Sequence, residues 1–150
     1  LGQHRIACGD ARDPSLMQML TEGTKCAVAF IDPPYNVKID GHVSGNGDTK
    51  HREFAMASGE MSEAQFRDFL SGSLQTLKNV LLPGAVIFAC MDWRHLAELL
   101  AAGRKSDLEL ANLCVWTKPT PGLGTFYRSQ HELVAVFKLG GGESRNNMAL

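Results

Sequence analysis

Asp32, Pro33, Pro34 and Tyr35 are the residues of this chain whose types and spacing point most directly to chemistry. Asp32 supplies acceptor oxygens, and Pro33, although it has no N–H, still offers its carbonyl. The paired prolines restrict the backbone, so these acceptors keep a fixed direction. Tyr35 adds a flat face. Acceptors beside an aromatic platform suit a flat heterocycle with an exocyclic amino group. The amino hydrogens would go to Asp32 and the Pro33 carbonyl, and the ring would stack on Tyr35. Drawing the hydrogens into hydrogen bonds localises the nitrogen lone pair and makes the nitrogen a better nucleophile. On this reading the ring face is what matters, so Tyr35→Phe is expected to be mild and Tyr35→Ala severe. An isolated Asp-Pro pair would be read as a strand-ending turn, with Asp32 bonding its own backbone. All four residues together arise by chance in roughly one chain in a thousand of this length.

Two further groups carry chemistry. Gly9-Asp10 follows a short apolar run, and a carboxylate there can accept from an adenosine or ribose group; the same dipeptide is also a common turn. Trp116-Thr117-Lys118-Pro119, then Gly122-Leu123-Gly124-Thr125-Phe126-Tyr127-Arg128-Ser129-Gln130-His131-Glu132, forms the second block. Its glycines allow a tight loop, and Phe126 and Tyr127 offer stacking faces, worth about 1–3 kcal/mol per base. Lys118 and Arg128 can hold phosphates. His131-Glu132 reads either as part of a site or as a surface pair bracing the loop.

These groups need elements to position them. Ala27 to Ile31 is an apolar run too short for a buried helix, so a buried strand over about 26–31 is expected. The prolines stop it at Asp32. In an open parallel sheet ligands sit beyond the carboxyl ends of strands, which is where Asp32 falls. A strand is expected at His4–Cys8, and a helix capped by Asp13 with Pro14 in its first turn, ending at Gly23. Residues 37–60 have no periodicity and are expected to form a flexible loop, either a solvated insertion or a flap over the ligand. Ser62 and Gln65 make a capping box for a helix with Phe66, Phe69, Leu70, Leu74, Leu77 and Leu81 on its inner face, ended by Pro83-Gly84. A second apolar strand follows at Ala85–Cys90. Asp92 is expected to cap a helix from Trp93 to about Ala102, closed by Gly103, with Trp93 and Trp116 as packing residues. Strands over 108–117 and 133–139 complete the pattern, the last two forming an antiparallel edge. Strands alternating with helices predict an α/β fold with a mostly parallel sheet and helices on both faces.

Composition narrows the classes. The chain has 150 residues, 44% of them hydrophobic, enough for one packed domain or a piece of a larger one. A net charge of −1 rules out a broadly basic surface, so any nucleic-acid contact must be local. The four cysteines have no C-x-x-C spacing and read as buried free thiols in a reducing compartment. No histidine cluster suggests a metal, and no apolar run approaches the ~20 residues of a membrane span.

Asp32-Pro33-Pro34-Tyr35 resembles the catalytic motif of S-adenosylmethionine-dependent DNA methyltransferases that act on adenine N6 or cytosine N4. The following Asn36, the preceding Gly9-Asp10 and the block ending in Arg128-Ser129-Gln130-His131-Glu132 are similar to the β-class of that family. The resemblance implies a Rossmann-like methyltransferase fold and double-stranded DNA with a flipped target base as substrate. It implies catalytic roles for Asp32, Pro33, Pro34 and Tyr35. Asp10 would contact the adenine of the methyl donor, and Asn36, Lys118, Phe126, Tyr127, Arg128 and Glu132 the substrate. It implies S-adenosylmethionine as donor, no metal, no membrane, and a cytoplasmic, nucleoid-associated place in a prokaryote or phage, as in restriction-modification. A homodimer, and a partition-protein-like domain in a longer parent chain, are compatible with it.

The family's donor loop, of Phe-x-Gly-x-Gly type, has no counterpart here; Gly140-Gly141-Gly142 lacks both the phenylalanine and the strand-to-helix context. In the β-class that loop lies carboxyl-terminal to the blocks seen here, and Arg145-Asn146-Asn147 resembles the lead-in to it. The chain is therefore expected to be the first part of a catalytic domain, inactive alone. Asp in the first motif position favours adenine within the family. The alternatives are a cytosine-N4 enzyme and a non-catalytic DNA-binding remnant. A zinc deaminase also flips bases, but its Pro-Cys-x-x-Cys signature is absent.

Overall fold

The structure, a computed structural model, describes residues 2–38, 54–122 and 126–143. Elements run in the order α1 (Pro14–Thr21), β1 (Cys26–Ile31), α2 (Glu63–Lys78), β2 (Leu81–Met91), α3 (Leu96–Lys105), β3 (Leu108–Thr117) and β4 (His131–Leu139). The four strands form one sheet in the order β1-β2-β4-β3. β1 pairs with β2 in parallel, and β4 is antiparallel to both β2 and β3. Three strands thus point the same way, and the sheet is a mixed α/β one in which the last two strands pair antiparallel as expected, β3 at the edge and β4 inside it.

The helix starts follow their local chemistry. Asp13 accepts from the Ser15 N–H at 2.9 Å, ahead of Pro14. At α2 the Ser62 hydroxyl accepts from the Gln65 N–H and the Gln65 side chain accepts from the Ser62 N–H, a complete capping box. Phe66, Phe69, Leu70 and Leu74 of α2 and Leu99 and Ala102 of α3 pack on Ile87, Ala89, Met91, Ala135 and Phe137 of the sheet. On the other face Val28 and Phe30 are 52% and 64% exposed. β1 is therefore buried on one side only, which corrects the expectation of a fully buried strand.

Five other expectations are corrected. His4–Cys8 forms no strand, because no described strand takes up its backbone groups; Arg5 instead donates to the Leu20 carbonyl at the end of α1. Pro83 and Gly84 do not end α2, which stops at Lys78, but lie inside β2. They sit where the β1–β2 register shifts, a place that tolerates a proline without an N–H. Gly84 has φ +77°, and a Cβ there would lie 2.1 Å from the Glu143 carbonyl oxygen. α3 begins at Leu96, not Trp93, because the Asp92 carboxylate accepts from the Arg94 and His95 N–H groups in a turn before the helix. The helix also runs through Gly103, whose missing side chain makes room for the Phe137 ring; a Cβ would come within 2.4 Å of it. The cysteines are free, but only Cys90 is buried, while Cys8 and Cys114 are exposed.

Candidate functional site

Asp32, Pro33, Pro34 and Tyr35 leave the carboxyl end of β1, and β2 ends alongside at Met91. Two clefts open from this point. The first, about 450 Å³, is lined by Gly9, Asp10, Met17, Asp32, Pro33 and Pro34, with an apolar wall that includes Met56 and Phe69. The second, about 630 Å³, is lined by Tyr35, Trp93, Arg94, Lys118, Tyr127 and Glu132, among others. Asp32 thus borders one cleft and Tyr35 the other.

The two are joined by a hydrogen bond. The Tyr35 hydroxyl donates to Asp32 Oδ1 at 2.7 Å, and Glu132 Oε2 lies 3.2 Å from the same hydroxyl. Glu132 Oε1 is held by the Lys118 ammonium. Burial, then the hydrogen bond and charge of Asp32, push the Tyr35 phenol well above its usual value, so it remains a donor. Behind it the Cys90 thiol is pushed up by burial and by the charges of Asp32 and Glu132, and it stays neutral.

In the first cleft Asp10 is fixed by Arg12. The Arg12 Nη2 donates to Asp10 Oδ2 at 2.7 Å, and Nε to Oδ1 at 3.0 Å. These bonds hold the Asp10 carboxyl down at about 2. The Arg12 guanidinium also lies 5.0 Å over the Phe69 ring, and the Arg12 carbonyl accepts from the Thr76 hydroxyl. Asp10 is in this way tied to α2 although its own segment forms no strand. A folded-state value below the ordinary one means that the pair stabilises above the ordinary carboxylate range and that this contribution is lost as the pH falls through about 2. In Arg12→Ala the Asp10 midpoint, followed by carboxyl-carbon NMR, is expected to rise from about 2 towards the ordinary 3.8.

The structure gives the other expected residues distinct placements. The Asn36 amide is committed to the far end of the following loop: its Nδ2 donates to the Met61 carbonyl at 2.8 Å, and its Oδ1 accepts from the N–H groups of Gly59 and Met61. The loop expected at 37–60 falls outside the described residues over 39–53; beyond them Phe54, Ala55 and Met56 line the first cleft. Phe126 and Tyr127 are each 87% exposed, their ring centroids 4.4 Å apart. Arg128 donates to the Gly122 carbonyl at 2.9 Å and so braces its own loop. The stretches 123–125 and 144–150, the latter including Arg145-Asn146-Asn147, lie outside the described residues.

Three residues of the site have no chemistry assigned to them by sequence reasoning. Arg12 is visible only as a neighbour of Asp10. Trp93 and Arg94 look like a helix start, but the delayed start of α3 leaves them on an exposed turn, where Arg94 lies 4.8 Å over the Trp93 ring at the rim of the second cleft. Trp93 and Trp116 are both more than half exposed, which corrects their reading as packing residues. Among the described residues no cluster of three or more His, Cys, Asp or Glu could hold a metal, and no helix is long and apolar enough to cross a membrane.

The α/β sheet, with a carboxylate, two prolines and a tyrosine between two clefts at its strand ends, has the Rossmann-like fold of methyltransferases. The DNA methylase family model, that of N6 and N4 methyltransferases, matches residues 26–148, and the chain belongs to that family. Solved structures share the fold. TTHA0409 from Thermus thermophilus, assigned as a DNA modification methylase, superposes with a TM-score of 0.61 at 18% identity, over 96% of this chain and 57% of its own. Its complex with S-adenosyl-L-methionine gives 0.60 at 20% identity, over 97% and 56%. The M1.HpyAVI–SAM complex gives 0.59 at 12% identity, over 95% and 56%. The chain spans a little over half the length of these proteins. No curated protein matches it.

Proposed function

We propose that this chain is the catalytic-motif part of a DNA methyltransferase that moves a methyl group from S-adenosylmethionine to the N6 amino group of a flipped adenine. The observation that carries the reading is the junction of two clefts at the Asp32–Tyr35 hydrogen bond. One cleft has an apolar wall and a fixed carboxylate, Asp10, which suits the adenosyl body and ribose hydroxyls of the donor. S-adenosylmethionine supplies an activated methyl on a sulfonium. The other cleft has exposed aromatic faces, which suit an extruded base.

Asp32 Oδ2 and the Pro33 carbonyl accept from the amino group, and the Tyr35 ring supports the base. The amino nitrogen attacks the methyl carbon, the carbon–sulfur bond breaks, and the surplus proton leaves the nitrogen afterwards. Positioning and polarisation carry the rate, with no covalent enzyme intermediate. Phe126 and Tyr127 belong to the wall for the flipped nucleotide, Arg128 braces their segment at the Gly122 carbonyl, and Asn36 holds the loop end beside the motif. The preference for adenine over cytosine rests on Asp in the first motif position.

The test is transfer of labelled methyl from S-adenosylmethionine to unmethylated DNA by the full-length protein carrying this chain, followed by digestion to nucleosides. N6-methyladenine is the expected product. N4-methylcytosine would move the reading to the cytosine-N4 enzyme. Absence of both donor binding and transfer would favour the non-catalytic remnant.

A further inference from the structure

Tyr35 carries one hydroxyl proton and has two carboxylates within reach, Asp32 Oδ1 at 2.7 Å and Glu132 Oε2 at 3.2 Å. A phenol O–H donates in one direction at a time. Two equivalent anions would compete for it, and Asp32 would lose its orientation for part of the time. The anions here are not equivalent. Glu132 carries the Lys118 ammonium on its other oxygen, and its side chain is only 16% exposed. Lys118 also lies 5.9 Å over the Trp116 ring. The ammonium, held on Glu132 Oε1, offsets that carboxylate and leaves the Tyr35 proton to Asp32.

We propose that Lys118 and Glu132 are positioning residues for methyl transfer: the pair holds the Tyr35 hydroxyl so that it fixes one oxygen of Asp32 and leaves the other for the target amino group. The proposal rests on the function proposed above. It replaces the expectation that Lys118 holds a DNA phosphate, and it gives Glu132 a role without contact to the base. Other charged or titratable groups near the second cleft are Asp92, Arg94, Tyr127 and His131, with the Cys90 thiol near Tyr35. Arg94 is engaged with Asp92 at 3.0 Å, so Lys118 is the cation that meets Glu132.

The experiment compares Lys118→Met, Lys118→Arg, Glu132→Gln and the Lys118→Met/Glu132→Gln double variant in the full-length enzyme. Single-turnover methyl transfer at saturating DNA is measured separately from DNA affinity and its salt dependence. Lys118→Met is expected to slow transfer about 10–100-fold, the scale of a hydrogen bond to a charged group, with DNA affinity and salt slope unchanged. Lys118→Arg restores most of the rate. Glu132→Gln restores it in the Lys118→Met background, because a neutral amide no longer competes for the Tyr35 proton. Weakened DNA binding with a salt slope reduced by about one, at an unchanged transfer rate, would instead make Lys118 a phosphate contact. A slow Lys118→Met that neither change rescues would leave only a structural role and overturn the proposal. A second readout does not depend on turnover: the ¹³Cζ resonance of Tyr35 should shift in Lys118→Met and return in the double variant. A resonance unmoved by either change overturns the positioning role. Absence of transfer by the unsubstituted enzyme, with that resonance responding as expected, counts against the functional reading alone.

Discussion

Asp32→Ala in the full-length enzyme is expected to lower the single-turnover rate of methyl transfer by at least ~10³-fold while DNA affinity stays within a few fold. Asp32 is the charged acceptor at the junction of the two clefts, and the Tyr35 hydroxyl fixes one of its oxygens. On the proposed function, removing it leaves the target amino group without its oriented acceptor. Losses of about 10²–10³-fold are typical when one preorganised electrostatic partner is removed, and misplacement of the nucleophile adds to that. The side chain is exposed at a strand end and packs no core, so the variant should fold. Asp32→Asn keeps the shape and isolates the charge; it should retain more activity than Ala and far less than the unsubstituted enzyme. Equilibrium binding of DNA and of S-adenosylmethionine, measured beside the rate, separates a chemical defect from a binding defect. A variant within tenfold of the normal rate would remove Asp32 from the chemistry.

What the sequence makes legible here follows from the range over which each signal acts. The capping box at Ser62 and the Asp13-Pro14 start depend on side chains within a few residues of the backbone they satisfy, and both form as expected. The apolar run of β1 and the proline stop after it are equally local, and they place Asp32 at a strand end. Pro83-Gly84 is a good helix terminator in isolation. Its use inside β2 depends on a register shift against β1 and on the close approach of Glu143, neither of which sequence spacing reveals. Gly103 misleads for the same reason: its small size serves the Phe137 ring, which belongs to a strand far along the chain. The site divides in the same way. The motif is contiguous and can be read directly. The contact between Tyr35 and Glu132 spans 97 positions, and it exists because β4 inserts between β2 and β3, bringing the start of β4 beside the motif.

That long-range contact changes what is expected of Tyr35. If only the ring face mattered, Tyr35→Phe would be nearly silent. The hydroxyl, however, donates to Asp32 and faces Glu132, and burial keeps it protonated. A hydrogen bond to a charged group contributes about 1.5–3 kcal/mol, so Tyr35→Phe should slow methyl transfer about 10–100-fold at saturating DNA. Tyr35→Ala loses the same bond and also the platform for the base, worth about 1–3 kcal/mol, so its total loss should reach about 10²–10⁴-fold. The two variants should also differ in kind. Phe leaves the affinity for DNA carrying an extruded base unchanged, because the stacking face survives, whereas Ala weakens it. Combining Tyr35→Phe with Lys118→Met is the sharper measurement. If Lys118 acts only through Glu132 and Tyr35, the double variant is no slower than Tyr35→Phe alone, since the proton that Lys118 helps to direct is already gone. Multiplicative losses would show that Lys118 acts by another route, and an unimpaired Tyr35→Phe would return the role of Tyr35 to its ring alone.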